Sequence, residues 1–306
     1  MTLEEKITNS IQTQFADNSR MNFFYNEPDR IRHFSDLTRN IIENNRDELI
    51  SIDFAGKSNQ FVDFFTQLAV KVFCNANQYI DLREPDITNL HSIYKNLWNE
   101  LIHQLKNTTI DFEALEQVHI FRIREWLLQT NPFLCEMNNS NSPKIIEVVC
   151  EEYSSELQMK VLGLNLENLS EPVIDIGCGA NATLVNFLRS LGIEAYGIDR
   201  LVYPDHPFLN SKNWFEFEFK QNTWGTIISN LSFTSHFINN HHRKGSNYQE
   251  YAQKYMEIIN SLKVNGTYYY APALPMIEPY LPTNKFHLEN WKINDTISTT
   301  RLSRIG

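Results

Sequence analysis

The sequence predicts an α/β protein: a doubly wound, mostly parallel sheet in the second half, ending in an antiparallel hairpin, preceded by an all-helical region. Three observations carry this. Apolar residues recur at i, i+3, i+4 and i+7 up to about residue 130. After residue 170, short β-rich runs alternate with helical stretches, the order that builds a parallel sheet. Glycine is scarce, ten in 306 residues against an average of about 7%. Only Gly56 lies in the first 162 residues, whereas Gly177, Gly179, Gly192 and Gly197 fall close together. Avoidance followed by clustering points to a backbone requirement.

The helical half is read in order. Thr2-Leu3-Glu4-Glu5 is a capping box opening a first helix. Pro28-Asp29 opens a second, with Ile31, Phe34, Leu37, Ile41 and Ile42 at helical spacing. Phe61, Phe64, Phe65, Leu68 and Val72 form the stripe of a third. Asp86 is the expected N-cap of a fourth, running from Ile87 through Leu90, Tyr94, Trp98 and Leu101 to Leu105. A fifth covers Phe112 to about Leu128. The turn-rich run Asn138–Pro143 marks a boundary between a helical cap or substrate-binding region, 1–145, and a second domain, 146–306. Ser142-Pro143 is expected to start the next helix.

The second half opens with the strand Val173–Ile176, followed by Gly-Cys-Gly and a helix from Thr183 to Leu191. Glu194–Asp199 and Trp224–Asn230 read as strands. Ser246-x-x-Gln249 caps a helix to about Lys263, which Gly266 ends before the strand Thr267–Tyr270. Lys285–Ile305 reads as the closing hairpin.

Composition excludes several classes. Lys+Arg 27 against Asp+Glu 37 gives a net charge of −10, the opposite of the basic footprint of a nucleic-acid binder. Mean hydropathy is −0.39, and no apolar run approaches the roughly 18 residues that span a bilayer. The opening MTLEEKITNSIQTQF lacks the pattern of a signal peptide, so a cytoplasmic location is expected. Cys74, Cys135, Cys150 and Cys178 are scattered without a CxxC pair, which supports neither a zinc site nor a disulfide framework.

The chemistry concentrates at Asp175-Ile176-Gly177-Cys178-Gly179. A strand, a glycine turn and a helix start follow one another, so backbone can approach a ligand and free N–H groups face it. Asp199 ends the next strand, twenty residues beyond Gly179, where a carboxylate can accept from both hydroxyls of a ribose. Asp175-x-Gly177-x-Gly179 resembles the first motif of the class I S-adenosylmethionine-dependent methyltransferases, a Rossmann-like family. Asn181 stands where the fuller pattern has a third glycine. The resemblance covers about Tyr153 to the C-terminus and implies S-adenosyl-L-methionine as cofactor.

By position, the resemblance puts Gly177, Cys178 and Gly179 beside the methionine part, with Asp175 ordering the turn. Asp199 would hold the ribose, Arg200 would border the adenine, and Asn213-Trp214 would be the adenine-contacting pair. Asn230, ending a strand, would meet the methionine amine, and Tyr153, on a helix before the core, would line the same pocket. His236 is the candidate base. Tyr25, His241 and Glu278 are candidate substrate contacts, each with an ordinary packing or surface alternative. His33, His91, His103 and His119 read as surface or cap residues.

The implied activity is methyl transfer to a small-molecule or peptide nucleophile, with the helical half forming the substrate pocket. Three other readings stay open: a non-catalytic S-adenosylmethionine-binding or scaffold protein, a nucleic-acid methyltransferase, and a nicotinamide-dependent oxidoreductase.

Overall fold

A computed structural model describes residues 2–25, 34–107, 109–138, 141–148, 153–203, 206–243, 246–295 and 297–306. The expectations at Pro28, Asp29, Ile31, His33 and Cys150 lie outside the described residues. The chain divides into two compact units, Met1–Cys150 and Glu151–Gly306.

Helices make up the first unit. α1 (Leu3–Asp17) carries the expected capping box, Thr2 and Glu5 each accepting the other's backbone N–H. α2 (Asp36–Asn44) starts at Ser35, whose Oγ accepts from Thr38 N, and α3 (Arg46–Phe54) follows, a helix the apolar spacing did not signal. α4 (Ser58–Ala76), α5 (Glu84–Asn107) and α6 (Phe112–Thr130) are the long ones, and α7 (Phe133–Met137) is a single short turn. The expected stripe on α5 is the buried one: Leu90, Tyr94, Leu97, Trp98, Leu101, Ile102 and Leu105.

Two helix starts differ from expectation. α5 begins at Glu84, so Asp86 lies inside its first turn and reaches back to accept the Arg83 N–H at 3.0 Å. Ser142-Pro143 opens no helix. Ser142 Oγ donates to the Lys144 carbonyl and accepts its N–H, and Lys144 and Val148 form isolated bridges to Met21 and Asn77. The same side-chain chemistry caps a helix or closes a turn, and here backbone pairing uses it for the turn. His119 is not a surface residue either; it is fully buried on α6.

The second unit holds a seven-stranded sheet. α8 (Ser155–Leu162) leads into β1 (Val173–Ile176), α9 (Thr183–Ser190), β2 (Ala195–Ile198) and the two-residue β3 (Leu209–Asn210). β4 (Trp224–Asn230), α10 (Phe233–His242), α11 (Tyr248–Asn260), β5 (Leu262–Ala271), β6 (Phe286–Lys292) and β7 (Ser298–Arg304) complete it. The strand order is β3-β2-β1-β4-β5-β7-β6. The first five are parallel and β7 runs antiparallel to β5 and β6. This is the doubly wound, Rossmann-like sheet with a C-terminal antiparallel hairpin.

Each face of the sheet has its own core. Ile174, Ile176, Tyr268 and Tyr270 lie in one apolar cluster, and Val173, Ile228 and Tyr269 in the other, as the two-residue period of a strand requires. α11 starts at Tyr248 after Asn247 rather than at Ser246, and β5 begins at Leu262. Gly266 lies inside β5, where a Cβ would stand 2.8 Å from the Lys263 carbonyl oxygen.

Candidate functional site

In a doubly wound sheet, ligands bind at the C-terminal strand ends where the order reverses. Here that point lies between β1 and β4, and the glycine loop leaves β1 there. Gly177 and Gly179 have φ of 77° and 76°, a region that disfavours side chains. A Cβ on Gly177 would lie 2.4 Å from the Cβ of Ser232. Ser232 Oγ donates to the Ile176 carbonyl at 2.5 Å and pairs with Ser229 Oγ at 2.8 Å. The ends of β1 and β4 are thus fastened together. Sequence reading gave Ser232 no role, because the carbonyl it reaches lies 56 residues away.

The loop then crosses to β2. Gly177 N and Cys178 N both donate to the Ile198 carbonyl, at 2.8 and 3.2 Å. Gly179 N donates to Asp199 Oδ2 at 3.1 Å, and Leu201 N to Asp199 Oδ1 at 2.8 Å. Backbone donors therefore fix the orientation of the Asp199 carboxylate. α9 begins behind the loop at Ala182, which supplies no side-chain cap to its first turn.

Asp175 is 1% exposed, and neither carboxylate oxygen has a hydrogen-bond partner among the described residues. Burial, and then the neighbouring Asp199 charge, push its carboxyl up to about 7. A buried polar group without a partner is expensive. Asn230, at the end of β4, adds a buried Oδ1 that is also unpartnered. The buried Cys178 side chain faces the core: its Sγ would lie 2.8 Å from a Cβ on Gly197.

His236 lies on α10, a helix the sequence reading did not include. Phe233 and Phe237 anchor that helix in the core. His236 is 5% exposed and meets the Trp214 ring edge-on, centroids 4.8 Å apart. Burial, followed by the charges of Arg200 and Arg243, holds its pKa well below 6.5, so the ring is neutral at pH 7. Asn213 spends its Oδ1 on the Phe215 N–H at 3.1 Å in a tight turn, which presents the half-buried Trp214. Tyr153 precedes α8 rather than lying on it. Its carbonyl accepts from Thr183 Oγ1 at 3.3 Å, beside the start of α9.

Three further sequence candidates have surroundings of their own. Glu278 is neither a surface carboxylate nor an open substrate contact. Only 8% exposed, it accepts from Tyr270 OH, Thr300 Oγ1, Leu274 N and Asn290 Nδ2 at 2.7–2.9 Å. His241 is exposed and stacks edge-on with Tyr248. Tyr25 belongs to the helical unit, its N–H donating to the Asn22 carbonyl. Among the described residues no cluster of His, Cys, Asp and Glu could hold a metal, and no helix is long and apolar enough to cross a membrane.

No protein-family model matches the chain, and no curated protein matches it. Solved structures do. An rRNA methylase from Streptococcus thermophilus is 14% identical over 52% of this chain and 100% of its own, with a TM-score of 0.34. A magnesium protoporphyrin IX methyltransferase from Synechocystis, solved with bound S-adenosylmethionine, is 15% identical over 49% and 79%, TM-score 0.33. An N-methyltransferase from Bradyrhizobium japonicum is 10% identical over 49% and 96%, TM-score 0.35. The fold itself rests on the chain's own strand order and register.

Proposed function

We propose that the protein is an S-adenosylmethionine-dependent methyltransferase acting on a small-molecule or peptide nucleophile. One observation carries the reading: Asp199 is held at the end of β2 by the Gly179 and Leu201 amides, directly across from the glycine loop. A carboxylate oriented in this way suits two neighbouring ribose hydroxyls.

The other groups fit the same cofactor. Asp175 and Asn230 offer buried, unpartnered acceptors near the loop, which suits a molecule bearing an ammonium and a sulfonium. Gly177 and Gly179 keep side chains away from it, and Trp214 offers an apolar edge for the adenine. The cofactor supplies a methyl group already activated on sulfur for in-line displacement. The protein's own contribution is to position the acceptor and exclude water.

His236 is assigned as the base for a hydroxyl acceptor. Being neutral at pH 7, it can take a proton, and a misplaced or protonated ring could not. An amine acceptor, already nucleophilic when neutral, needs less from it. The helical unit is assigned to acceptor selection.

Calorimetry with S-adenosylmethionine, S-adenosylhomocysteine and NAD tests the reading. Both sulfur compounds should bind and NAD should not, and Asp199→Ala should weaken both at least tenfold. Failure of either sulfur compound to bind, or their unchanged affinity in Asp199→Ala, overturns it.

A further inference from the structure

The helical unit contains two adjoining cavities. The first, about 700 Å³ with its mouth included, lies among Phe24, Ala69, Val72, Phe73, Leu127 and Ile145. The second, about 640 Å³ measured the same way, lies among Ile11, Ile41, Ile42, Leu49, Phe65 and Leu101. Three residues line both: Gln14, Phe15 and Tyr94. The Phe15 and Tyr94 rings stand side by side there, centroids 6.2 Å apart.

Close-packed interiors leave few voids larger than a water molecule, and each of these spaces is larger than that; an apolar space does not hold water well. The walls also state what would fill it. None of the described lining residues of either cavity is charged, in a chain of net charge −10. Most polar groups at the second cavity already bind each other: Ser10 Oγ pairs with Thr38 Oγ1 at 3.1 Å, and Gln14 Oε1 accepts the Ser35 N–H at 2.9 Å. Tyr94, at the shared wall, is different. Burial alone pushes the ionisation of its hydroxyl far up, with no hydrogen bond among the described residues offsetting it.

We propose that the helical unit binds one neutral, elongated apolar molecule bearing a single hydrogen-bonding oxygen, an alcohol, ketone or ester of lipid-like length. Its two arms occupy the two cavities, and its oxygen meets the Tyr94 hydroxyl. A carboxylate or phosphate end is disfavoured, because the walls hold no charge to compensate it. This binding does not require the cofactor, whose assigned residues lie in the other unit.

The test uses the full chain and the neutral fluorophore N-phenyl-1-naphthylamine. A saturable rise in fluorescence at one equivalent is expected, displaced by dodecan-2-one at least tenfold more effectively than by dodecanoate. Val72→Trp fills one cavity and Ile41→Trp the other, and each should weaken the probe at least tenfold. Ala69→Leu is the milder filling variant for the first cavity and Ile41→Phe for the second, should a tryptophan variant lose its helical circular dichroism. Tyr94→Phe should weaken dodecan-2-one roughly three- to tenfold, the loss of one hydrogen bond. Absence of saturable binding, equal displacement by the anion, or two independent sites each blocked by only one variant overturns the proposal. S-adenosylmethionine binding, measured on the same samples, should be indifferent to these variants, so the two assignments fail separately.

Discussion

Ser232 occupies the space that a side chain on Gly177 would need: its Cβ lies 2.4 Å from where a Gly177 Cβ would be built. The contact joins the two strand ends that flank the reversal of strand order. Gly177→Ala therefore meets both a clash and an unfavourable φ. It is expected to destabilise the fold by about 1–3 kcal/mol and to weaken S-adenosylmethionine at least tenfold. Adding Ser232→Gly should restore part of the melting temperature, since the clash is relieved while the backbone strain stays. Thermal melts of the single and double variants, with and without cofactor, read this directly.

Asp175 gives stability a particular pH dependence. Its carboxyl is raised from 3.8 to about 7 in the folded chain, so between those values the folded state holds a proton that the unfolded state has lost. Its contribution is therefore full below pH 3.8 and declines as pH rises towards 7. Asp175→Asn removes that decline. Relative to the parent, the variant should gain on the order of 2–3 kcal/mol between pH 5 and pH 8, measured by urea denaturation without cofactor. A difference that stays flat with pH would show that Asp175 is ionised throughout.

His236 works in the opposite sense. Its folded pKa lies below 6.5, so the unfolded chain takes up a proton first and stability falls as pH drops below 6.5. His236→Gln should flatten this acid-side loss. The ring nitrogens, followed by nitrogen-15 NMR and assigned with the same variant, should retain neutral-imidazole shifts at pH 6.

Glu278 is expected to matter for the fold and not for the site. Glu278→Ala strands the Tyr270, Thr300, Asn290 and Leu274 donors and should cost about 3 kcal/mol or more in urea denaturation. Glu278→Gln retains one acceptor and should cost less. Cofactor affinity should be the same in the folded fraction of both variants.

The parts of the fold legible in the sequence are those governed by local chemistry. Gly177 and Gly179 announce positive φ, and Asp199 closes the run Glu194–Asp199, of which Ala195–Ile198 form β2. The closing hairpin follows from alternation within 285–305. The parts that were not legible depend on distant partners. α10 is built largely of Ser, Thr, Asn and His, weak helix formers, and it is the burial of Phe233 and Phe237 that makes it a helix. Glu278 draws its side-chain donors from β5, β6 and β7, so little adjacent in sequence announces its burial. Ser142-Pro143 failed for another reason, because its cap chemistry serves a turn equally well.

Cys178 gives the glycine loop a chemical clock. Its sulfur is enclosed between the loop and Gly197, while Cys135 is exposed and Cys74 is buried in the helical unit. A thiol reagent can reach Cys178 only after the loop lifts from the sheet, so its alkylation rate counts loop openings. Whatever occupies the loop would slow that count, and occupancy becomes readable without knowing the acceptor or seeing a turnover.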